Sequence, residues 1–262
     1  MTTEEILNLL EQQVAPVKVS DDFCAKYKTY DNSGIIINCG VPVTGVLFSL
    51  DLSEAAVERA VWLGYNLIVT HHPAIYGGVS RFDLTNNSQA RALAKCLKHD
   101  ISVISMHLNF DAAERGVDFH LMQGLGGVQA DAMHEVEGGA YGRAYDITPV
   151  ALSQFVQNIR ENFDTQRVVC HGATEKPIKR VASFCGAGCD DNAVAFAKEQ
   201  KADAVVSSDL SHHRICELVE SGIVAVELTH YAAESYGFGK IYQAIKSSVK
   251  VPSSLFTDER FI

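Results

Sequence analysis

Leu67, Ile68 and Val69 form an unbroken apolar run that stops at Thr70-His71-His72-Pro73. Such a run fits a strand buried on both faces of a parallel sheet, with helices covering each side. Polar residues placed where that strand stops occupy the usual site position of an open α/β sheet. Pro73 biases His72 toward an extended backbone, in which successive side chains point to opposite sides. Two such imidazoles are poorly placed to share one ion, but each could serve one of two neighbouring ions. The competing reading is a hydrogen-bonded histidine pair closing a strand.

The surrounding chain repeats the strand-then-helix rhythm. Ile6, Leu9, Leu10 and Val14 mark a helix over residues 3–14, and Asp31-Asn32-Ser33-Gly34 reads as a turn. Strands are expected at 35–37, 45–50 and 101–106. Between them come a helix capped by Ser53 and Gly64, with Val57, Ala60 and Val61 facing the core, and a second helix over 86–99. The second half adds a helix starting at Thr148-Pro149 and carrying Leu152, Phe155, Val156 and Ile159 at helical spacing. Further strands are expected at 167–170, 180–184, 204–207 and 223–228, with helices near 192–200 and 212–220. The glycine-rich stretches Gly124–Gly127 and Glu137-Gly138-Gly139 interrupt the rhythm. The resulting expectation is two α/β domains with mainly parallel sheets, over residues 1–127 and 128–262, joined by right-handed crossovers.

The formal net charge of −10, from 22 basic and 32 acidic residues, argues against non-specific binding to nucleic acid or anionic membranes. No apolar run is long enough to span a bilayer, and the acidic Met1–Glu5 start lacks a signal peptide's basic flank. Seven scattered cysteines without a C-x-x-C pair fit reduced thiols in a cytoplasmic protein.

Two further stretches offer metal donors at strand ends. In Ser105-Met106-His107-Leu108-Asn109-Phe110-Asp111, Asp111 is a carboxylate candidate and His107 a ligand, a general base or a supporting group. The simpler reading of Asp111 is a cap on a helix beginning Ala112-Ala113-Glu114. In Glu227-Leu228-Thr229-His230-Tyr231-Ala232-Ala233-Glu234, His230 and Glu234 fall four apart, on one helix face, with Glu227 as a competing carboxylate. Mixed imidazole and carboxylate donors suit zinc, iron, manganese, nickel or magnesium. Five protein ligands are too many for one catalytic zinc with an open position. They suit two ions, bridged most naturally by Glu234, that acidify water and clamp a reacting centre. Cys185-Gly186-Ala187-Gly188 lacks a full dinucleotide fingerprint and reads as a tight strand-to-helix turn. His212 and His213 follow Ser207-Ser208-Asp209 and either line a pocket or sit on a solvated helix face. G-x-S-x-G, P-loop and H-E-x-x-H motifs are absent.

Taken together, Asp31–Gly34, Thr70-His71-His72-Pro73, His107-x-Asn109-x-Asp111-Ala112-Ala113 with Gly116-Val117, Gly186-x-Gly188, Ser208-Asp209 and His230-Tyr231-x-x-Glu234 resemble the Nif-three-like family. Many members of that family are named GTP cyclohydrolase 1 type 2 homologues. The resemblance implies metal ligation by His71, His72, Asp111, His230 and Glu234, and places His107 at a nearby pocket histidine. It also implies a dinuclear site in the cleft between two α/β domains and a ring-shaped homohexamer. The chain departs from the family pattern at Leu108, Thr229, Asp118-Phe119 and Ser207-Ser208-Asp209, all around the expected pocket. Two functional expectations follow. One is a metal-dependent hydrolase of a small polar or nucleotide-like substrate, GTP cyclohydrolase type 2-like by resemblance, with His107 or a neighbouring carboxylate moving protons. The alternative is a non-enzymatic metal-binding, metal-delivery or regulatory protein.

Overall fold

A computed structural model describes residues 1–79 and 81–262. The first half of the chain runs α1 (Thr3–Gln13), α2 (Val17–Tyr27), β1 (Gly34–Ile37), β2 (Val46–Ser49), α3 (Glu54–Leu63), β3 (Leu67–Thr70), α4 (Ser88–Lys98), β4 (Ser102–Ser105), α5 (Leu108–Ala112) and α6 (Val117–Gly124). The second half runs β5 (Asp131–Val136), β6 (Gly139–Val150), α7 (Leu152–Asn162), β7 (Val168–His171), β8 (Ile178–Ser183), α8 (Asp191–Glu199), β9 (Ala204–Ser207), α9 (His212–Glu220), β10 (Val224–Leu228), α10 (His230–Ile245) and β11 (Ser253–Phe256). Among the described residues the fold is therefore mixed α/β, with two sheets and ten helices. None of those helices is long and apolar enough to cross a membrane.

The first compact unit comprises Met1–Ala113, Val136–Gly138 and Phe238–Glu259. Its sheet has the order β1-β4-β3-β2-β11; only β1 is antiparallel to its neighbour, β4. Leu47, Ile68 and Val103, on three adjacent strands, share a core with Ala56, Val57 and Ala60 of α3 and with Leu93 and Cys96 of α4. Burying each large aliphatic side chain contributes roughly 1.5–3 kcal/mol. Ser53 caps α3 by accepting from the Ala56 amide, and Gly64 ends it with φ +70°. Val61 is 41% exposed, so the core stripe of α3 is narrower than its apolar sequence suggests.

The second unit comprises Glu114–Glu135, Gly139–Gly237 and Arg260–Ile262. Its sheet order is β5-β6-β8-β9-β10-β7, with β8-β9 and β9-β10 parallel. β6 and β7 join antiparallel to β8 and β10, so this sheet is mixed rather than mainly parallel. The expected helix start at Thr148-Pro149 is also overturned: β6 runs through to Val150, and α7 begins at Leu152. Pro149 falls where the β6–β8 register shifts, an irregularity at which proline's missing N–H is tolerated.

The units are not divided at residues 127 and 128. α6 belongs with the second unit, and the chain returns to the first through the second half of α10 and β11, which pairs with β2. α2 and β5 form where no helix or strand was expected, and Asp31–Ser33 is irregular chain without the expected turn.

Candidate metal centre

In the first unit, register creates the site. Ser49 pairs with Thr70, and Thr70 with Ser105, so β2, β3 and β4 end level. The residues just beyond these ends are Asp51, His71-His72 and His107. The Thr70 hydroxyl lies 2.8 Å from the His72 carbonyl and 2.8 Å from the Ser105 hydroxyl, which fixes the chain as it leaves β3. His71 and His72 occupy a bend rather than continuing the strand. That bend overturns the expectation of oppositely directed side chains: their rings lie 5.1 Å apart. Single ring nitrogens of His71, His72 and His107 all fall within 4.8 Å of one another.

Each of these imidazoles is held from behind through Nδ1. His71 Nδ1 lies 2.9 Å from the Met106 carbonyl oxygen, which can only accept, so that nitrogen carries the hydrogen. His72 Nδ1 lies 2.7 Å from Asp51 Oδ1, and His107 Nδ1 lies 2.7 Å from Asp31 Oδ1. A carbonyl or carboxylate on one ring nitrogen fixes the ring's orientation and leaves Nε2 as the donor toward a metal. Buried Asp111 sits within α5 and caps no helix; its Oδ1 is 3.2 Å from His71 Nε2 and its Oδ2 is 4.0 Å from His107 Nε2.

Asp31 anchors this arrangement. Its Oδ2 accepts from Ser20 at 2.5 Å and from Ser33 at 2.6 Å. The Ser33 hydroxyl in turn accepts from the His107 amide at 3.0 Å. Burial pushes the Asp31 carboxyl up, but the bond and charge of His107 outweigh it and hold Asp31 well below the usual carboxylate range. His107 responds in kind: burial pulls it down, and its bond to Asp31 with the charges of Asp111 and Asp31 raises it above its ordinary 6.5.

The second unit repeats the device. Its parallel strands β8, β9 and β10 deliver Gly186, Asp209 and His230 just past their ends. His230 Nδ1 lies 2.6 Å from Asp209 Oδ2, and its Nε2 lies 3.0 Å from Glu234 Oε2, one helical turn on. Glu227, the competing carboxylate, is used elsewhere: Oε1 accepts from the Leu210 amide at 3.1 Å and Oε2 lies 3.8 Å from His171.

Gly186 lies against Glu234 and His230. A β-carbon there would come to 2.4 Å from Glu234 Oε1 and 3.3 Å from His230 Nε2, and its φ is +56°. The Ser208 amide and Ser207 hydroxyl both donate to its carbonyl, at 3.1 and 3.2 Å. The Cys185–Gly188 stretch is thus a tight turn shaped around Glu234. His212 and His213 are exposed at the start of α9, where His213 lines a surface depression with Asp191, Val194 and Lys198.

The Duf34/NIF3 (NGG1p interacting factor 3) family model matches residues 1–258, a span containing every donor described above. The chain belongs to the Duf34/NIF3 family. It is 26% identical over 267 residues to the GTP cyclohydrolase 1 type 2 homolog of Clostridium perfringens, covering 100% of this chain and 95% of that protein. It is also 26% identical to NGG1-interacting factor 3 of Saccharomyces cerevisiae, over 79% of this chain and 80% of the relative. The fold matches the crystal structure of Staphylococcus aureus hypothetical protein SA1388, with a TM-score of 0.83, 22% identity and coverage of 98% and 97%.

Two of the positions expected to depart from the family pattern, Thr229 and Asp118, are engaged in hydrogen bonds of this Duf34/NIF3 chain. Thr229 accepts from the Ala232 amide at the start of α10. Asp118, fully buried, accepts from the Gly142 and Cys185 amides and pairs with Arg143 at 2.9 Å, tying the turn before Gly186 to β6. Three acceptors behind the imidazoles, Asp31, Asp51 and Asp209, carry roles that residue spacing alone did not assign.

Proposed function

We propose that the two donor sets serve one dinuclear divalent-metal centre in a hydrolase of small polar or nucleotide-like substrates. His71, His72 and Asp111 would be ligands from the first set, and His230 and Glu234 from the second. The observation that carries this reading is the shared Nδ1 anchoring of His71, His72 and His230, which presents Nε2 beside a carboxylate in each unit. Gly186 supports it, because only a residue without a β-carbon leaves the space beside Glu234 and His230 open. The donor chemistry fits zinc, iron, manganese, nickel or magnesium. A divalent ion held by these residues would supply Lewis acidity and lower the pKa of bound water.

His107 is the proton carrier in this reading. Asp31 holds Nδ1–H, so Nε2 is the atom that takes or gives a proton. The name shared by several relatives, GTP cyclohydrolase 1 type 2 homolog, points to a nucleotide-like substrate. The same reading takes the working form as a ring-shaped homohexamer, from the family resemblance.

A non-enzymatic, partner-binding role is the second reading, and the name of the yeast relative, NGG1-interacting factor 3, is what favours it. A screen of metal-loaded protein against nucleotides and phosphoesters separates the two. The hydrolase reading expects turnover that disappears in His72→Ala; turnover persisting in that variant without bound metal would overturn it.

A further inference from the structure

We propose that Tyr30 and Tyr76 form a stacking platform for a planar ring, so that the substrate carries an aromatic heterocycle such as a nucleotide base. This deepens the hydrolase reading and rests on it. The two rings meet edge to face, with centroids 5.2 Å apart and planes at 87°. Tyr30 is 51% exposed and Tyr76 60% exposed, so neither ring serves the core. An edge-to-face pair leaves the faces of one ring free for a third ring, the geometry aromatic groups favour.

The platform is built into the site rather than scattered on the surface. Tyr30 immediately precedes Asp31, which holds His107. Tyr76 lies four residues beyond His72, on the segment leaving β3. The Tyr76 hydroxyl donates to the Tyr30 carbonyl at 3.0 Å, and Asn32 Nδ2 donates to the Ile75 carbonyl at 2.7 Å. These two bonds lock the segment carrying Asp31 to the segment carrying His72. The Tyr76 phenol also feels the Asp31 carboxylate: burial first, then that negative charge, push its pKa up. By contrast Trp62, 72% exposed, already has the Arg59 guanidinium over its face at 4.4 Å. Two exposed rings, tied together and carried on the segments that bear Asp31 and His72, fit a ligand that stacks, and base-on-aromatic stacking tolerates any base.

The test is calorimetric titration of zinc-loaded protein with AMP, GMP and ribose 5-phosphate, which share a phosphate and ribose but differ in the base. The proposal expects both nucleotides to bind the wild type about tenfold or more tighter than ribose 5-phosphate. Tyr76→Ala and Tyr30→Ala should each shrink that gap, and Tyr76→Phe, which keeps the ring, should preserve most of it. Equal binding of all three ligands, or a gap unchanged in both alanine variants, would overturn the platform while leaving the hydrolase reading intact. Should no ligand bind but phosphoesters still be turned over, the platform again falls alone. Absence of both binding and turnover would remove the two together. Circular dichroism of each variant confirms that a lost gap is not lost fold.

Discussion

Gly186 stands so close to Glu234 that a β-carbon on residue 186 would approach the carboxylate oxygen Oε1 to 2.4 Å. Glu234 cannot simply move aside, because it is buried and its other oxygen lies 3.0 Å from His230 Nε2. The backbone at 186 also has φ +56°, which costs an L-residue about 1–2 kcal/mol. Gly186→Ala is therefore expected to lose about 1 kcal/mol or more of stability and to weaken metal binding about tenfold or more. Urea unfolding and competitive metal titration check the two effects separately. Unchanged metal affinity would mean that Glu234 is not a ligand.

The carboxylates behind the imidazoles should matter nearly as much as the ligands. Asp209 lies on His230 and Asp51 on His72. Removing such a partner typically costs 10- to 100-fold, roughly, in metal affinity or activity. Asp209→Ala and Asp51→Ala should each show a loss of that size, measured with a chromophoric chelator as competitor. Asp209 is exposed and Asp51 about half exposed, so thermal stability of the metal-free protein should change little.

The Asp31–His107 pair predicts a pH window in the metal-free protein. Asp31 is depressed from its ordinary 3.8, so its contribution is present above that value and is lost as pH falls through its lower folded value. His107 is raised from 6.5, so its contribution is present below 6.5 and is lost as pH rises through the higher folded value. The stability difference between wild type and Asp31→Asn should therefore peak between about pH 4 and 6.5 and shrink on either side. Chemical denaturation at a series of pH values measures it. A difference that grows steadily toward alkaline pH would show that the charged pair is not what Asp31 contributes.

Thiol chemistry offers an independent check of the packing. Burial pushes Cys96 and Cys189 up to about 12, whereas Cys170 and Cys216 are exposed. The thiolate is the reactive form. At pH 8 a maleimide reagent should label exposed Cys216 quickly and Cys170, whose thiol burial pushes up, more slowly, leaving Cys96 and Cys189 unlabelled until the protein unfolds. Peptide mass mapping reads the pattern. Rapid labelling of Cys96 would contradict the packing of α4 against its sheet.

Much of the first unit was legible because its signals are local. The apolar run at 67–69 and the Ile-Ser-Val-Ile stretch at 101–104 fit short buried strands, and Ser53 and Gly64 punctuate α3 by mechanisms that act within a few residues. The ligand candidates were visible for the same reason: each follows an apolar strand. What escaped depends on long-range pairing. Pro149 reads as a helix start, yet β8 holds it in a sheet irregularity. The closing strand β11 is recognisable only through its pairing with β2. Asp31 resembled a turn residue because its partners, Ser20 and His107, lie 11 and 76 positions away. Asp51 was a missed signal of an accessible kind. It stands at the end of the strand beside His71 and His72, and level strand ends in a parallel sheet gather their polar residues at one edge.

The central claim is that His71, His72 and Asp111 act with His230 and Glu234 on one pair of ions. Elemental analysis of protein loaded with a divalent metal and then desalted tests it most directly, on the wild type and on His72→Ala and His230→Ala. The account predicts about two ions per chain in the wild type and a loss in each variant. One ion or fewer per wild-type chain, or a His230→Ala protein that keeps its full complement, would contradict it.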